Sequence, residues 1–241
     1  MPLALTKLSY SEETPLILFV GFLALVPCLV LIKRVLNARY NKRIFQLIHD
    51  GQGEHFVEAL RQDIETEPRS ALRSNLELKL GMGLLLMGRW KEARSALALI
   101  DSSYIHENSR RWFHMSNLQV ILRTDLEEAY RYFVRNHEQF IADSPKLLIN
   151  QAIRLHNGMI EFLVMQDPHA ETVFLALSRE CPDPVIKSAA LYFLARIEHD
   201  RGKTDLADEY FKQSQQLTAH VIHGNAPDQA WISPGRAARK K

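Results

Sequence analysis

The hydrophobic pattern changes character along the chain. Pro15 to Ile32 reads PLILFVGFLALVPCLVLI, eighteen positions without a charge. Beyond residue 40 the apolar residues fall into shorter segments, in which an alanine is often followed four residues later by a large apolar side chain. Positions i and i+4 share one helix face, so this spacing predicts amphipathic helices. No segment alternates apolar and polar residues between hairpin turns, and strands are not expected.

The stretch LGMGLLLMGRWKEARSALALID, Leu80 to Asp101, sets the problem in small compass. An apolar run carrying Gly81 and Gly83 stops at Gly88-Arg89 and restarts at Trp90 as a charged, alanine-rich segment. A glycine inside a helix costs about 1 kcal/mol relative to alanine. Glycines kept there are expected to mark tight helix crossings, and Gly88 a corner where positive φ is cheap. Gly202 reads as a second corner. Glu67-Pro68, Ser144-Pro145, Asp167-Pro168 and Asp183-Pro184 predict helix starts, proline being suited to the first helical turn. Thr124-Asp125-Leu126-Glu127 reads as a capping box.

The same pattern recurs. Aligned on Ala59, Ala93, Ala129, Ala170 and Ala207, the segments are spaced by 34, 36, 41 and 37 residues, with Leu97, Phe133, Phe174 and Phe211 four positions on. A recurrence at this interval indicates stacked supersecondary units, each burying a face it cannot bury alone. The prediction is an all-α fold of about ten helices in five antiparallel pairs over residues 37–223, forming a solenoid.

On these residues the chain resembles the tetratricopeptide repeat. The second repeat carries the fullest pattern, with Leu80-Gly81, Gly88, Trp90, Ala93 and Leu97. The last has Leu194-Ala195, Gly202, Ala207 and Phe211. The fourth has Gly158, Ala170 and Phe174, with Met165 where a turn glycine is expected, and the third has Asn117 where a small residue is expected. The resemblance implies a concave face built by the first helix of each pair. Carried over, the partner-binding candidates are Asn75, Met82, Arg111, His114, Leu118, Met159, Phe162, Tyr192, Arg196 and His199, within a wider set that includes Leu85, Ala152, Leu155 and Ala189. That mostly apolar set suits an amphipathic helix or apolar peptide from a cytosolic protein or a membrane-complex subunit.

The amino-terminal run has a different reading. Eighteen residues at about 1.5 Å each span roughly 27 Å, close to a bilayer's hydrocarbon thickness. Glu12 and Glu13 precede it and no small-residue cleavage site follows, which argues against a removed signal peptide. Pro27 before Cys28 argues against a lipoprotein. Residues 15–36 are therefore expected to be a transmembrane anchor contacting lipid through Pro15–Ile32. Lys33, Arg34, Arg39, Lys42 and Arg43 follow it against Lys7 before it, placing the repeats in the cytoplasm and residues 1–14 outside. With no proline or glycine between Leu29 and Asp50, the anchor is expected to run on into the first repeat helix.

Composition narrows the chemistry. Net charge is +2, and the tail from Arg236 to Lys241 alone holds four cations, which argues against a broad nucleic-acid-binding face, and no nucleic-acid partner is expected. Residues 224–241 are expected to be disordered and basic. Cys28 and Cys181 lie far apart and form no disulfide framework. Neither a phosphate-binding loop nor a nucleophile elbow, zinc motif or paired CxxC occurs, so no cofactor, metal or catalytic residue is predicted. The expected function is a non-catalytic, membrane-anchored scaffold. The alternatives are an envelope assembly or secretion factor with its repeats outside the cytoplasm, or an enzyme using His114, His199 or Arg196 in the concave face.

Overall fold

The computed structural model describes residues 31, 35 and 38–223, apart from the Asn108 side chain, and the chain divides into two units, Met1–Ile44 and Phe45–Lys241. The expected outer segment 1–14, nearly all of the anchor 15–36, its continuity into the first helix, and the tail 224–241 lie outside the described residues. The described residues of the first unit are helical. Among the described residues no helix is long and apolar enough to cross a membrane.

Among its described residues the second unit is all-α. It opens with helical residues 45–49 (α1), followed by α2 (Gly53–Thr66), α3 (Ser70–Leu86), α4 (Trp90–Ala98), α5 (Glu107–Ile121), α6 (Leu126–Arg135), α7 (Leu147–Ile160), α8 (His169–Glu180), α9 (Pro184–Asp200) and α10 (Thr204–Leu217). Each of α3, α5, α7 and α9 packs on the helix that follows it. Also, α3 packs on α5, α5 on α7 and α7 on α9, so these first helices form one continuous layer.

Small residues let the layers close. Ala93, Ala129, Ala170 and Ala207 are all essentially inaccessible to solvent, as is Ala195. A Cβ on Gly81 would lie 2.7 Å from Leu97, and one on Gly158 would lie 2.9 Å from Phe174, so in both pairs the first-helix glycine receives the large residue of its partner helix. The first pair departs from the expected alignment. Ala59 is only half-buried, while Phe56, Val57 and Leu60 carry the contact, Phe56 lying against Gly83. In the third pair the small residue is missing too: Asn117 is half-buried and donates Nδ2 to the Phe113 carbonyl, while the next residue, Leu118, is fully buried.

The corners follow backbone physics. Gly88 (φ 72°) is left-handed, and its N–H and that of Arg89 bond the Leu85 and Leu84 carbonyls, a Schellman end to α3. Gly202 (φ 80°) ends α9 likewise, through bonds from Gly202 to His199 and from Lys203 to Glu198. The corner between α7 and α8 lacks glycine. There α7 runs into a π-helical stretch, Glu161–Met165, and the left-handed residue is Gln166 (φ 55°), one position after the expected Met165. At the start of α6 the cap is Asp125, whose carboxylate accepts from Glu128 N–H, and Thr124 turns back to the Ile121 carbonyl, so the expected capping box is displaced by one residue. Asp183 caps α9 with Pro184 in its first turn. Arg201 bridges Glu171 of α8 and Glu198 of α9, and Lys203 reaches Glu198 as well.

Gly83 separates propensity from packing. Alanine there gains about 1 kcal/mol of helix propensity, yet its Cβ would lie 2.1 Å from the Phe56 ring and 3.1 Å from Ile48. Overpacking of this kind costs about 1–3 kcal/mol. Gly83→Ala is therefore expected to lower the free energy of unfolding in urea; a gain would place Phe56 elsewhere.

Candidate binding site

The first-helix layer borders an apolar cavity of about 350 Å³. From α3 come Met82, Leu85 and Leu86; from α5 and its end Trp112, Met115, Ser116, Gln119 and Arg123. Leu148, Ala152, Leu155, His156 and Met159 of α7 face them, with Val185, Ile186, Ala189 and Phe193 of α9. Phe45 and His49 border one side, and Ile222 and His223 another. The volume lies at the lower end of the range for small-molecule sites, about 300–1,000 Å³.

The presence of Ile222 and His223 reflects a return of the chain after α10. Ile222 N–H donates to the Leu86 carbonyl at 2.7 Å, and its side chain sits over Gly88, whose Cβ would lie 3.1 Å away. His220 lies against Gly51 in the same way. The His223 carbonyl accepts from Arg123 Nη2 at 3.2 Å, and His223 Nε2 lies 2.7 Å from Ser188 Oγ. Ser188 is wholly buried and also meets Ser214 Oγ at 3.0 Å and Thr218 Oγ1 at 2.6 Å. One hydroxyl cluster thus ties α9, α10 and the returning segment together.

Burial governs the ionisation of the cavity's polar groups. His156 Nδ1 lies 2.6 Å from the Ala152 carbonyl, which can only accept, so Nδ1 carries the proton and Nε2 accepts from the Gln119 amide at 3.0 Å. Burial pushes the His156 pKa down to about 4, against a small opposing effect of the bond to Ala152. Burial, aided by the charge on Arg123, pushes His223 down to about 3. Desolvation also lowers Arg123. Asp183, the one carboxylate among the lining residues, accepts from Val185 and Ile186 N–H at 3.0 Å each and is committed to capping α9.

Of the residues expected to face a partner, Met82 and Met159 line this cavity, as do Leu85, Ala152, Leu155 and Ala189 of the wider set. Asn75 donates to the Ala71 carbonyl at 2.7 Å; Arg111 pairs with Asp143 at 2.6 Å and donates to the Ile141 carbonyl. His114 Nδ1 lies 2.8 Å from the Tyr132 hydroxyl, and Leu118 is in the core. Phe162 joins the rings of Phe174 and Phe193, Arg196 lies 5.7 Å over Phe162, and Tyr192 is buried near His223. His199 sits 3.9 Å from Asp200. None of these eight lines the cavity. In α5 the lining residues Trp112, Met115 and Gln119 each stand one position after Arg111, His114 and Leu118. Sequence reading missed Arg123, Gln119 and His156 as a group. Among the described residues, no three or more His, Cys, Asp or Glu side chains are placed to hold a metal ion.

No family model, curated protein or solved structure matches the chain.

The buried histidines give a pH signature. Both folded-state values lie below the unfolded value near 6.5, so acidification protonates the unfolded chain first. Their contribution to stability is complete above pH 6.5 and is lost as pH falls toward 4, at about 1.4 kcal/mol per pH unit for each histidine. Urea titrations from pH 7.5 to 5 are expected to show this loss, and His156→Gln is expected to reduce the slope by about one histidine's share. An unchanged slope would mean that the His156 ring is hydrated.

Proposed function

We propose that this chain is a non-catalytic binding module, a tetratricopeptide-like α-solenoid held at a membrane by Pro15–Ile32, whose first-helix face takes up an apolar guest. The observation that carries the reading is the cavity of about 350 Å³, walled chiefly by apolar side chains from four successive first helices. The one carboxylate among its lining residues is engaged as a helix cap, and the His156 and Gln119 side chains bond one another. Such a surface offers binding area and little to move a proton or attack a bond. The scaffold reading, with protein partners on the cytoplasmic side, rests on the repeat pattern and the cation-rich flank from Lys33 to Arg43.

A neutral solvatochromic naphthalene probe tests the cavity directly. Purified full-length protein is expected to bind it saturably, with blue-shifted emission. Met82→Trp, at a half-buried lining position, is expected to weaken binding at least fivefold with unchanged helical circular dichroism. Binding unaffected by Met82→Trp would place the apolar site elsewhere and remove the basis of the proposal.

A further inference from the structure

Arg123 carries a charge that the cavity does not answer. Its guanidinium has five N–H donors in a planar fork, and one of them reaches the neutral carbonyl of His223. Among the described residues it makes no ion pair, and the lining carboxylate of Asp183 is taken by backbone N–H groups. A desolvated cation without a counter-charge is costly, and an anion arriving with a ligand would relieve that cost. Charge complementarity therefore points to a guest with one anionic end.

The rest of the guest follows from the walls. Met82, Met115 and Met159 line the cavity with Leu155 and Phe193. Methionine is unbranched and polarizable, and it adapts to guests of variable shape. An α-helix measures about 10–12 Å across with its side chains. The returning segment, through Ile222 and its bond to Leu86, already borders this face, leaving space on the scale of a small molecule.

Resting on the reading that the cavity takes an apolar guest, we propose that the guest is a single-chain anionic amphiphile, a fatty carboxylate. Its acyl chain lies against Met82, Leu155 and Met159, and its carboxylate is held by Arg123.

The test uses the full-length chain in a non-ionic sugar detergent, labelled with a diazirine analogue of dodecanoic acid and mapped by mass spectrometry. Labelling is expected on residues 82–86 and 152–159, with dodecanoate competing at least tenfold better than dodecanol. Arg123→Met is expected to abolish that difference while the neutral probe still binds, and Arg123→Lys, which keeps the charge, to retain part of it. If Arg123→Met does not fold, the dodecanoate-to-dodecanol ratio on the parent and on Arg123→Lys decides. Equal competition by acid and alcohol, with the neutral probe bound, overturns the anionic end group and leaves the apolar guest standing. Failure of acid, alcohol and probe alike overturns both. Labelling blocked by an amphipathic peptide and not by dodecanoate assigns the cavity to a protein segment and overturns the fatty guest.

Discussion

One helix end and the chain segment that reaches it organise the site. At the carboxyl end of α3, backbone N–H groups of Met87, Gly88 and Arg89 satisfy the carbonyls of Gly83, Leu85 and Leu84. The Leu86 carbonyl is left over, as the last turn of any helix leaves acceptors over. Ile222 N–H, 136 residues beyond Leu86 in a chain that has meanwhile built three further helix pairs, fills it. A single such bond is worth only about 0.5–1.5 kcal/mol. Its effect is positional: it brings Ile222 over Gly88 and His223 beside Arg123 and Ser188, making the chain's return one wall of the cavity.

Two consequences follow for the chemistry of that wall. The imidazole of His223 is kept neutral by burial and by the adjacent guanidinium, so it serves the hydroxyl cluster of Ser188, Ser214 and Thr218 as a packed polar group. Arg123, in turn, gains a carbonyl and, among the described residues, no counter-charge. Buried polar groups that are bonded to one another fix a single arrangement, whereas a cation left partly unanswered is where a ligand finds energy to gain. The same cavity thus contains a settled half and an unsettled one.

Much of the fold was legible because its signals are local. Gly88 and Gly202 mark corners that need positive φ, and Gly81 and Gly158 mark crossings where a large residue of the partner helix enters. Where those signals are absent the register slips. In the third pair Leu118 is fully buried where the alignment placed a small residue one position earlier, and the expected face of α5 is displaced with it. At the corner between α7 and α8 a π-helical stretch supplies the turn that Gly88 and Gly202 supply at theirs, carrying the left-handed residue to Gln166. Phe56 of the first pair meets Gly83 of the second, so Ala59 marks the period without making the contact.

The site was less legible, because its decisive contacts span long sequence separations. Arg123 to His223, Ser188 to His223 and Leu86 to Ile222 have no periodicity to read. The closing segment after α10 holds Thr218, Ile222 and His223, none of which belongs to the repeat pattern. The most direct test of its role is hydrogen exchange at the Ile222 amide in the intact protein. A chain end bonded to Leu86 requires that amide to exchange at least about a hundredfold more slowly than in an unstructured peptide; exchange at the peptide rate would mean that the chain end does not wall the cavity.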